Sequence, residues 1–250
     1  MNNAFLNNAP LKEVMFEIKW DLDYISEQSI VYDNGFEQAV LNFTKSCRQD
    51  FNELEILKPE NIPPIAFNNH VTHRFRKVKN EYPLYQLGPG VFTVNDNNKN
   101  YKWSDFDLMI KNGIECLRKS YTKDLIPKNL QLLYVDRVSP YIFGKVNKFD
   151  FLRNHLKINA ESYDFVDGEL NNIQFSKSFN VNDEILLNII VSTGIDQLSK
   201  EDVIEWKTFV SNKKRVSWDS LDDWIQKSHE TCSSTFKKMV SNELYEYFGS

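Results

Sequence analysis

The sequence EVMFEIKW at residues 13–20 decides the fold class, because its side chains change character at every second position. The apolar members are Val14, Phe16, Ile18 and Trp20, and the intervening ones are Glu13, Met15, Glu17 and Lys19. A period of two predicts a half-buried strand. The sequence LYQLGPGVFTVN at residues 84–95 predicts two further strands, since Gly-Pro-Gly at its centre is typical of a tight reversal.

Apolar residues elsewhere recur every three or four positions, which predicts amphipathic helices at residues 35–52, 104–121 and 221–248. The second of these helices has Ser104 at the position of an N-cap. A shorter helix is predicted at residues 149–156. Further strands are predicted at residues 70–79, 130–138, 173–179, 184–193 and 203–210.

This order of elements predicts an α+β protein with a mainly antiparallel β-sheet. Three longer helices, including the long C-terminal one, are expected to pack on one side of that sheet. No segment rich in glycine or serine interrupts the chain, so residues 1–250 are predicted to form a single domain. Two related halves meeting near residue 145 are the alternative.

Composition excludes several classes of protein. The 30 Lys and Arg residues against 35 Asp and Glu residues give a net charge of -5, which disfavours whole-surface binding to nucleic acid or anionic membrane. No apolar stretch approaches the ~20 residues of a membrane span, and the N-terminus lacks the features of a signal peptide. Cys47, Cys116 and Cys232 are too widely spaced for a disulfide framework, so a cytoplasmic location is predicted.

The usual motifs of catalysis and cofactor binding are missing from the sequence. Gly88-Pro89-Gly90 lies between two strands, whereas a phosphate-binding loop opens a helix. No histidine or cysteine spacing is typical of a metal site, and no serine or cysteine has the context of an activated nucleophile. The sequence therefore predicts no catalytic residue, no cofactor and no metal.

A basic run, HRFRKVK at residues 73–79, is the strongest electrostatic feature of the sequence. Basic side chains with an interleaved aromatic ring can bind RNA through phosphate contacts and stacking. One alternative hypothesis is therefore a nucleic-acid-binding module that uses Arg74, Arg76, Lys77 and Lys79.

Polar residues interrupt two apolar patterns. Asp136 and Arg137 lie inside an otherwise apolar strand, and His229 lies on the apolar stripe of the last helix. A buried polar group needs a partner. A second alternative is therefore a hydrolase in which His229 acts as base and Asp136 orients it.

Several segments, taken in order, resemble a sporadically distributed family of uncharacterised prokaryotic proteins of about this length. They are NAPLKE at residues 8–13, QLGP at 86–89, YKW at 101–103, LLYVDR at 132–137, and Trp224 with His229 in the last helix. The chain departs from the family pattern at Leu133, where an arginine is usual, and at Asp136, where an asparagine is usual. The patchy distribution of the family resembles that of genes in defence islands.

The absence of catalytic motifs, together with many aromatic residues, predicts a non-catalytic accessory or partner-binding protein. The resemblance implies a subunit or regulator in an anti-phage defence or toxin–antitoxin type operon, with an operon neighbour or a second copy as partner. The residues predicted to bind the partner or a ligand are Glu13, Glu17, Tyr85, Tyr101, Trp103, Asp136, Arg137 and His229.

Overall fold

The computed structural model describes residues 6–26, 30–59, 61–159 and 170–250. Within these residues the protein is mixed α and β, with a large antiparallel sheet and five helices. The strands are β1 Leu11–Trp20, β2 Asp23–Ile25, β3 Ile30–Tyr32, β4 Glu53–Ile56, β5 His73–Arg76, β6 Leu84–Gly88, β7 Val91–Asp96, β8 Pro127–Val138, β9 Gln174–Asn180, β10 Ile185–Ile195 and β11 Asp202–Asn212. The helices are α1 Phe36–Cys47, α2 Trp103–Ser120, α3 Lys148–His155, α4 Leu221–Met239 and α5 Asn242–Gly249.

The chain divides into two compact units that interleave along the sequence. Unit I comprises Glu13–Leu132 and Ser211–Trp224. Unit II comprises Met1–Lys12, Leu133–Val210 and Ile225–Ser250. Among the residues that the structure describes, no helix has the length and apolar character required to cross a membrane.

Unit I contains a sheet with the strand order β4-β5-β6-β7-β1, in which neighbouring strands are antiparallel. The β6–β7 hairpin closes at the pair Gly88 and Val91, as the Gly-Pro-Gly reversal predicts. Gly88 is required by a close approach, since a Cβ added there would lie 1.9 Å from the backbone oxygen of His70. The backbone at His70 can therefore pass this close to the hairpin only because Gly88 has no side chain.

Helices α1 and α2 cover one face of this sheet. The ring of Phe43 in α1 lies 4.9 Å from that of Phe75 and 5.6 Å from that of Phe92, centroid to centroid. The hydroxyl of Tyr85 donates a hydrogen bond to the carbonyl oxygen of Met109 in α2. Because successive side chains on a strand point to opposite faces, the residues next to these aromatics face away from the helices.

Unit II contains strands in the order β8-β11-β10-β9. Its core is apolar and draws on strands, on α3 and on the C-terminal helices; the buried members are Val138, Phe151, Leu152, Leu156, Val191, Ile204, Trp206, Val240, Leu244 and Phe248. The rings of Trp206 in β11 and Phe236 in α4 stack at 6.4 Å. The apolar stripe predicted for the last helix is therefore used to cover the strands.

The structure confirms the predicted strand at residues 13–20, the 84–95 hairpin and the antiparallel pairing of β9 with β10. The finer prediction that three longer helices share one side of the sheet stays a prediction. Strands β2, β3 and β4 were not predicted, because each has only three or four residues; the sequence of β4, Glu-Leu-Glu-Ile, alternates, but its side chains are exposed at all four positions.

Three predicted helix boundaries are wrong. The last helix is broken between Met239 and Asn242, where the Ser241 side chain accepts a hydrogen bond from Leu244 N and caps α5. Helix α2 begins at Trp103 with no side-chain cap, so Ser104 is not its N-cap. Helix α1 ends at Cys47 rather than at residue 52.

Candidate functional site

A row of polar side chains crosses the face of the unit I sheet that lies opposite α1 and α2. Strand register places Glu55 opposite Arg74, Arg74 opposite Gln86, Gln86 opposite Thr93 and Thr93 opposite Glu17. The row therefore reaches from β4 to β1. Opposite positions in antiparallel strands bring Cβ atoms to about 5 Å, so these side chains are neighbours in space.

Hydrogen bonds join three residues of this row to Asn95 and Glu13 in one chain, which we call the polar network (Arg74, Gln86, Thr93, Asn95 and Glu13). Arg74 Nε donates to Gln86 Oε1 at 2.8 Å. Gln86 Nε2 donates to Thr93 Oγ1 and to Asn95 Oδ1, each at 3.0 Å. Thr93 Oγ1 donates to Asn95 Oδ1 at 2.7 Å, and Asn95 Nδ2 donates to Glu13 Oε1 at 2.7 Å.

Every donor in the polar network points from the guanidinium towards the carboxylate. Bonds aligned in this way polarise one another, so the network is stiffer than the same bonds taken separately. Its middle is buried, with Gln86 9%, Thr93 2% and Asn95 3% exposed. Its two ends, the Arg74 and Glu13 side chains, are only partly buried.

Other charged groups lie at the ends of the network. Glu55 Oε2 is 3.7 Å from Arg74 NH1 and 3.4 Å from Arg76 Nε. At the β1 end, Lys19 Nζ is 2.9 Å from Glu17 Oε1. Two of the predicted binding residues, Glu13 and Glu17, therefore lie on the same sheet face as Arg74 and Arg76, which were predicted for a different function.

Arg76 has a structural role that the basic run did not reveal. Its guanidinium donates to the carbonyl oxygen of Glu81 at 2.7 Å and lies 5.6 Å from the ring centre of Tyr82. The side chain is only 9% exposed. Lys77 and Lys79 lie beyond the end of β5 and are exposed, and Lys77 Nζ lies 5.2 Å from the ring centre of Phe51. The basic run is thus divided between a paired, half-buried part and an exposed turn.

The predicted aromatic binding residues contribute to packing in unit I. Tyr85 is 3% exposed and its ring lies 4.2 Å from that of Phe51. Burial raises the pKa of the Tyr85 hydroxyl well above its usual range. Tyr101 and Trp103 are half-buried at the start of α2, and both rings contact Phe106.

Unit II places Asp136 in a buried position on β8, with 6% of the residue exposed. Burial raises the pKa of its carboxyl from 3.8 to about 7. The indole N–H of Trp206 lowers that pKa in part, although it does not reach hydrogen-bond geometry. Asp136 in turn contributes to the raised pKa of Cys232 in α4, for which burial is the larger cause.

Three polar atoms of unit II are buried without a hydrogen bond to any residue that the structure describes. They are Trp206 Nε1, Thr208 Oγ1 and Ser228 Oγ. An unpaired buried polar group lowers stability by about 1–3 kcal/mol. Buried polar atoms around β11 and α4 are therefore less completely hydrogen bonded than those of the polar network in unit I.

Arg137 and His229 each have a clear partner in unit II. Arg137 donates to Glu205 Oε2 from Nε at 3.1 Å and from NH2 at 2.7 Å, and its NH1 is 3.4 Å from Asp196 Oδ2. His229 Nδ1 is hydrogen bonded to the Tyr134 hydroxyl at 2.8 Å. The hydrolase hypothesis for Asp136 and His229 stays a prediction.

Sequence reasoning missed the three central residues of the polar network, Gln86, Thr93 and Asn95. A signal for two of them was present in the hairpin. Gln86 and Thr93 are equally distant from the Gly88–Val91 closing pair, so a tight turn must place them opposite one another. Asn95 gave no such signal, because its bond to Glu13 depends on the pairing of β7 with β1.

Among the described residues, no group of three or more histidine, cysteine, aspartate or glutamate side chains is arranged to hold a metal ion. Comparison with protein-family models, curated proteins and solved structures gives no match to this chain. The family resemblance of the sequence therefore remains an expectation. Functional conclusions about the protein depend on the geometry of its own residues.

Proposed function

We propose that this chain is a non-catalytic, partner-binding protein that uses the polar network face of unit I for recognition. The observation that carries the proposal is the continuous hydrogen-bond chain from Arg74 to Glu13, which fixes charged groups at both ends of a buried row. Fixed charges lose little side-chain entropy when a partner binds. A preorganised pair of opposite charges also sets the orientation of the partner.

Most hydrogen-bond donors and acceptors of the network are already in use, which favours a role in binding over a role in catalysis. Gln86 uses its carbonyl oxygen and both amide hydrogens within the network. Asn95 uses its carbonyl oxygen twice and one amide hydrogen, so one hydrogen is left. Groups already engaged in this way can hold a surface in shape, but they are poorly placed to exchange protons with a substrate.

The partner that we propose is another protein, encoded beside this one or identical to it, and the role is that of a subunit or regulator in a defence or toxin–antitoxin type operon. Support for a protein partner comes from the mixed charge of the face. Glu13, Glu17 and Glu55 share this face with Arg74, Arg76 and Lys19. A face with both signs of charge is complementary to a protein surface rather than to a uniformly anionic polymer.

The experiment is quantitative affinity capture from the native host with three tagged forms of the full chain. The test form combines Glu13→Gln with Glu17→Gln, because an amide at residue 13 can still accept the bond from Asn95 while it removes the charge. The matched control combines Glu230→Gln with Glu246→Gln, two exposed positions in unit II. One protein should be captured by the native and control forms and lost with the test form.

Direct binding of that purified protein should then weaken at least about tenfold in the test form, which corresponds to 1.4 kcal/mol. The proposal fails if the test form and the native form capture the same proteins equally. It also fails if the purified chain turns over a substrate and Asp136→Asn or His229→Gln abolishes that turnover. Retardation of RNA that is lost with Lys77→Gln and Lys79→Gln would favour the nucleic-acid hypothesis instead.

A further inference from the structure

A cleft of 780 Å³ lies in unit II, beside the first turn of α3. Its volume is within the range of about 300–1,000 Å³ that small-molecule sites occupy. The polar lining residues are Tyr141, Lys145, Asn147, Lys148, Asn171 and Asp202. These residues come from the segment before α3, from α3 itself, from the segment before β9 and from the start of β11.

The polar groups at the base of the cleft hold one another in place. Lys148 Nζ is 3.2 Å from Asp202 Oδ1 and 3.3 Å from Asn172 Oδ1. Tyr141 donates its hydroxyl proton to Asp202 Oδ2 at 2.5 Å. The hydrogen bond from Tyr141 is the main cause of a lowered pKa for Asp202, so this carboxyl is ionised and neutralises the Lys148 ammonium group.

Lys145 supplies the charge that is left over. It is exposed and forms no ion pair with any residue that the structure describes. Two lysines against one aspartate leave one positive charge among the lining residues.

The remaining wall of the cleft is apolar. Val146, Phe149 and Leu170 line it, and the first two pack against the core of unit II. Among the described lining residues there are one positive charge without an ion-pair partner, two amide side chains and an apolar wall, a combination suited to a ligand with an anionic group and an apolar body. A bare inorganic anion would leave the apolar wall in contact with water.

We propose that this cleft binds a small organic anion, with Lys145 contacting the anionic group and Phe149 with Leu170 contacting the apolar body. Lys148 is held by Asp202 and Asn172 and does not pair with the ligand. The cleft lies in unit II, so this proposal is independent of the polar network and of the function proposed for it.

The test is a titration of the full isotope-labelled chain with benzoate, phenyl phosphate, benzyl alcohol and inorganic phosphate, followed by NMR chemical shifts. Benzoate or phenyl phosphate should give saturable shifts at residues 145–149, with a dissociation constant on the order of 1 mM for so small a molecule. Benzyl alcohol and inorganic phosphate should each bind about tenfold more weakly, because each lacks one half of the recognised chemistry. If benzoate binds more tightly than phenyl phosphate, the ligand is a carboxylate; the reverse order indicates a phosphate ester.

Two variants make the result specific. Lys145→Gln should weaken binding of the preferred anion about tenfold, and Asn171→Asp should abolish it by adding a negative charge with little change of shape. Lys237→Gln, an exposed lysine on α4, is the control and should leave the affinity unchanged. The proposal is overturned if neither aromatic anion gives saturable shifts, if benzyl alcohol binds equally well, or if Lys145→Gln and Asn171→Asp have no effect.

Discussion

Replacing Asp136 by asparagine should remove a pH dependence of stability that originates in the interior of unit II. Burial raises the pKa of this carboxyl from 3.8 to about 7 in the folded protein, with only a partial offset from Trp206. Between those two values the unfolded chain has lost the proton and the folded chain keeps it. The folded state therefore binds more protons, and stability falls as the pH rises through this interval.

The size of the effect follows from the shift. A rise of about 3 pH units, at 1.36 kcal/mol for each unit, amounts to about 4 kcal/mol. The native protein should lose this stability progressively between about pH 4 and about pH 7 and little more at higher pH. Asp136→Asn has nearly the same shape and no proton to lose, so its advantage over the native protein should grow across the same interval.

The assay is urea unfolding of the native protein and of Asp136→Asn at a series of pH values, with the difference in unfolding free energy plotted against pH. Asp183→Asn makes the same chemical change at an exposed position in the β9–β10 turn and serves as the control. Its difference from the native protein should stay within about 0.5 kcal/mol. A difference for Asp136→Asn that is equally large at every pH would refute the reasoning, because it would show that packing rather than ionisation sets it.

Three further predictions concern the stability of the fold and are tested chiefly by urea unfolding. Gly88→Ala adds a Cβ 1.9 Å from a backbone oxygen and should destabilise unit I by roughly 3 kcal/mol. Gly194→Ala is the control and should cost much less, because no atom lies within 4 Å of its added Cβ. Equal losses of stability in the two variants would contradict this prediction. Ser241→Ala removes the cap of α5 and should cost about 1 kcal/mol and increase amide exchange in that helix, so unchanged exchange would argue against the cap. Asp33→Ala removes the acceptor of the buried Tyr121 hydroxyl and of the N–H groups of Trp20 and Gly90. The free energy of unfolding should therefore fall by roughly 3 kcal/mol, and an unchanged value would contradict the prediction.

Local periodicity was sufficient to predict the strand at residues 13–20 and the β6–β7 hairpin, because each is fixed by alternation and turn chemistry within a dozen residues. The break between α4 and α5 could not be predicted in this way. Val240 and Leu244 continue the apolar spacing across it, and only the contact of Ser241 Oγ with a backbone N–H reveals the new helix. Capping by a single serine is too weak a signal to outweigh a stripe that runs through it.

The polar network marks a second limit of sequence reasoning. Glu13 and Glu17 were each visible as polar positions on a half-buried strand, and Arg74 was visible in a basic run, but their relation depends on the register of four strands. A shift of one residue in any of these pairings would turn a whole strand over and break the chain of bonds. The network therefore also helps to specify the register, since an unpaired Gln86 or Asn95 in a buried position is unfavourable.

The two buried polar regions differ in a way that bears on function. In unit I each buried polar side chain of the network is bonded to another side chain, so removing one partner destabilises several others at once. In unit II the carboxyl of Asp136 lies near an indole N–H that does not complete a bond, and the hydroxyls of Thr208 and Ser228 are also without a hydrogen bond to the described residues. A rigid, satisfied network is suited to presenting a surface, whereas a carboxyl with a pKa near neutrality is suited to gaining and losing a proton. Recognition of the proposed protein partner is therefore expected at unit I, and the pH dependence that Asp136 causes is expected at unit II.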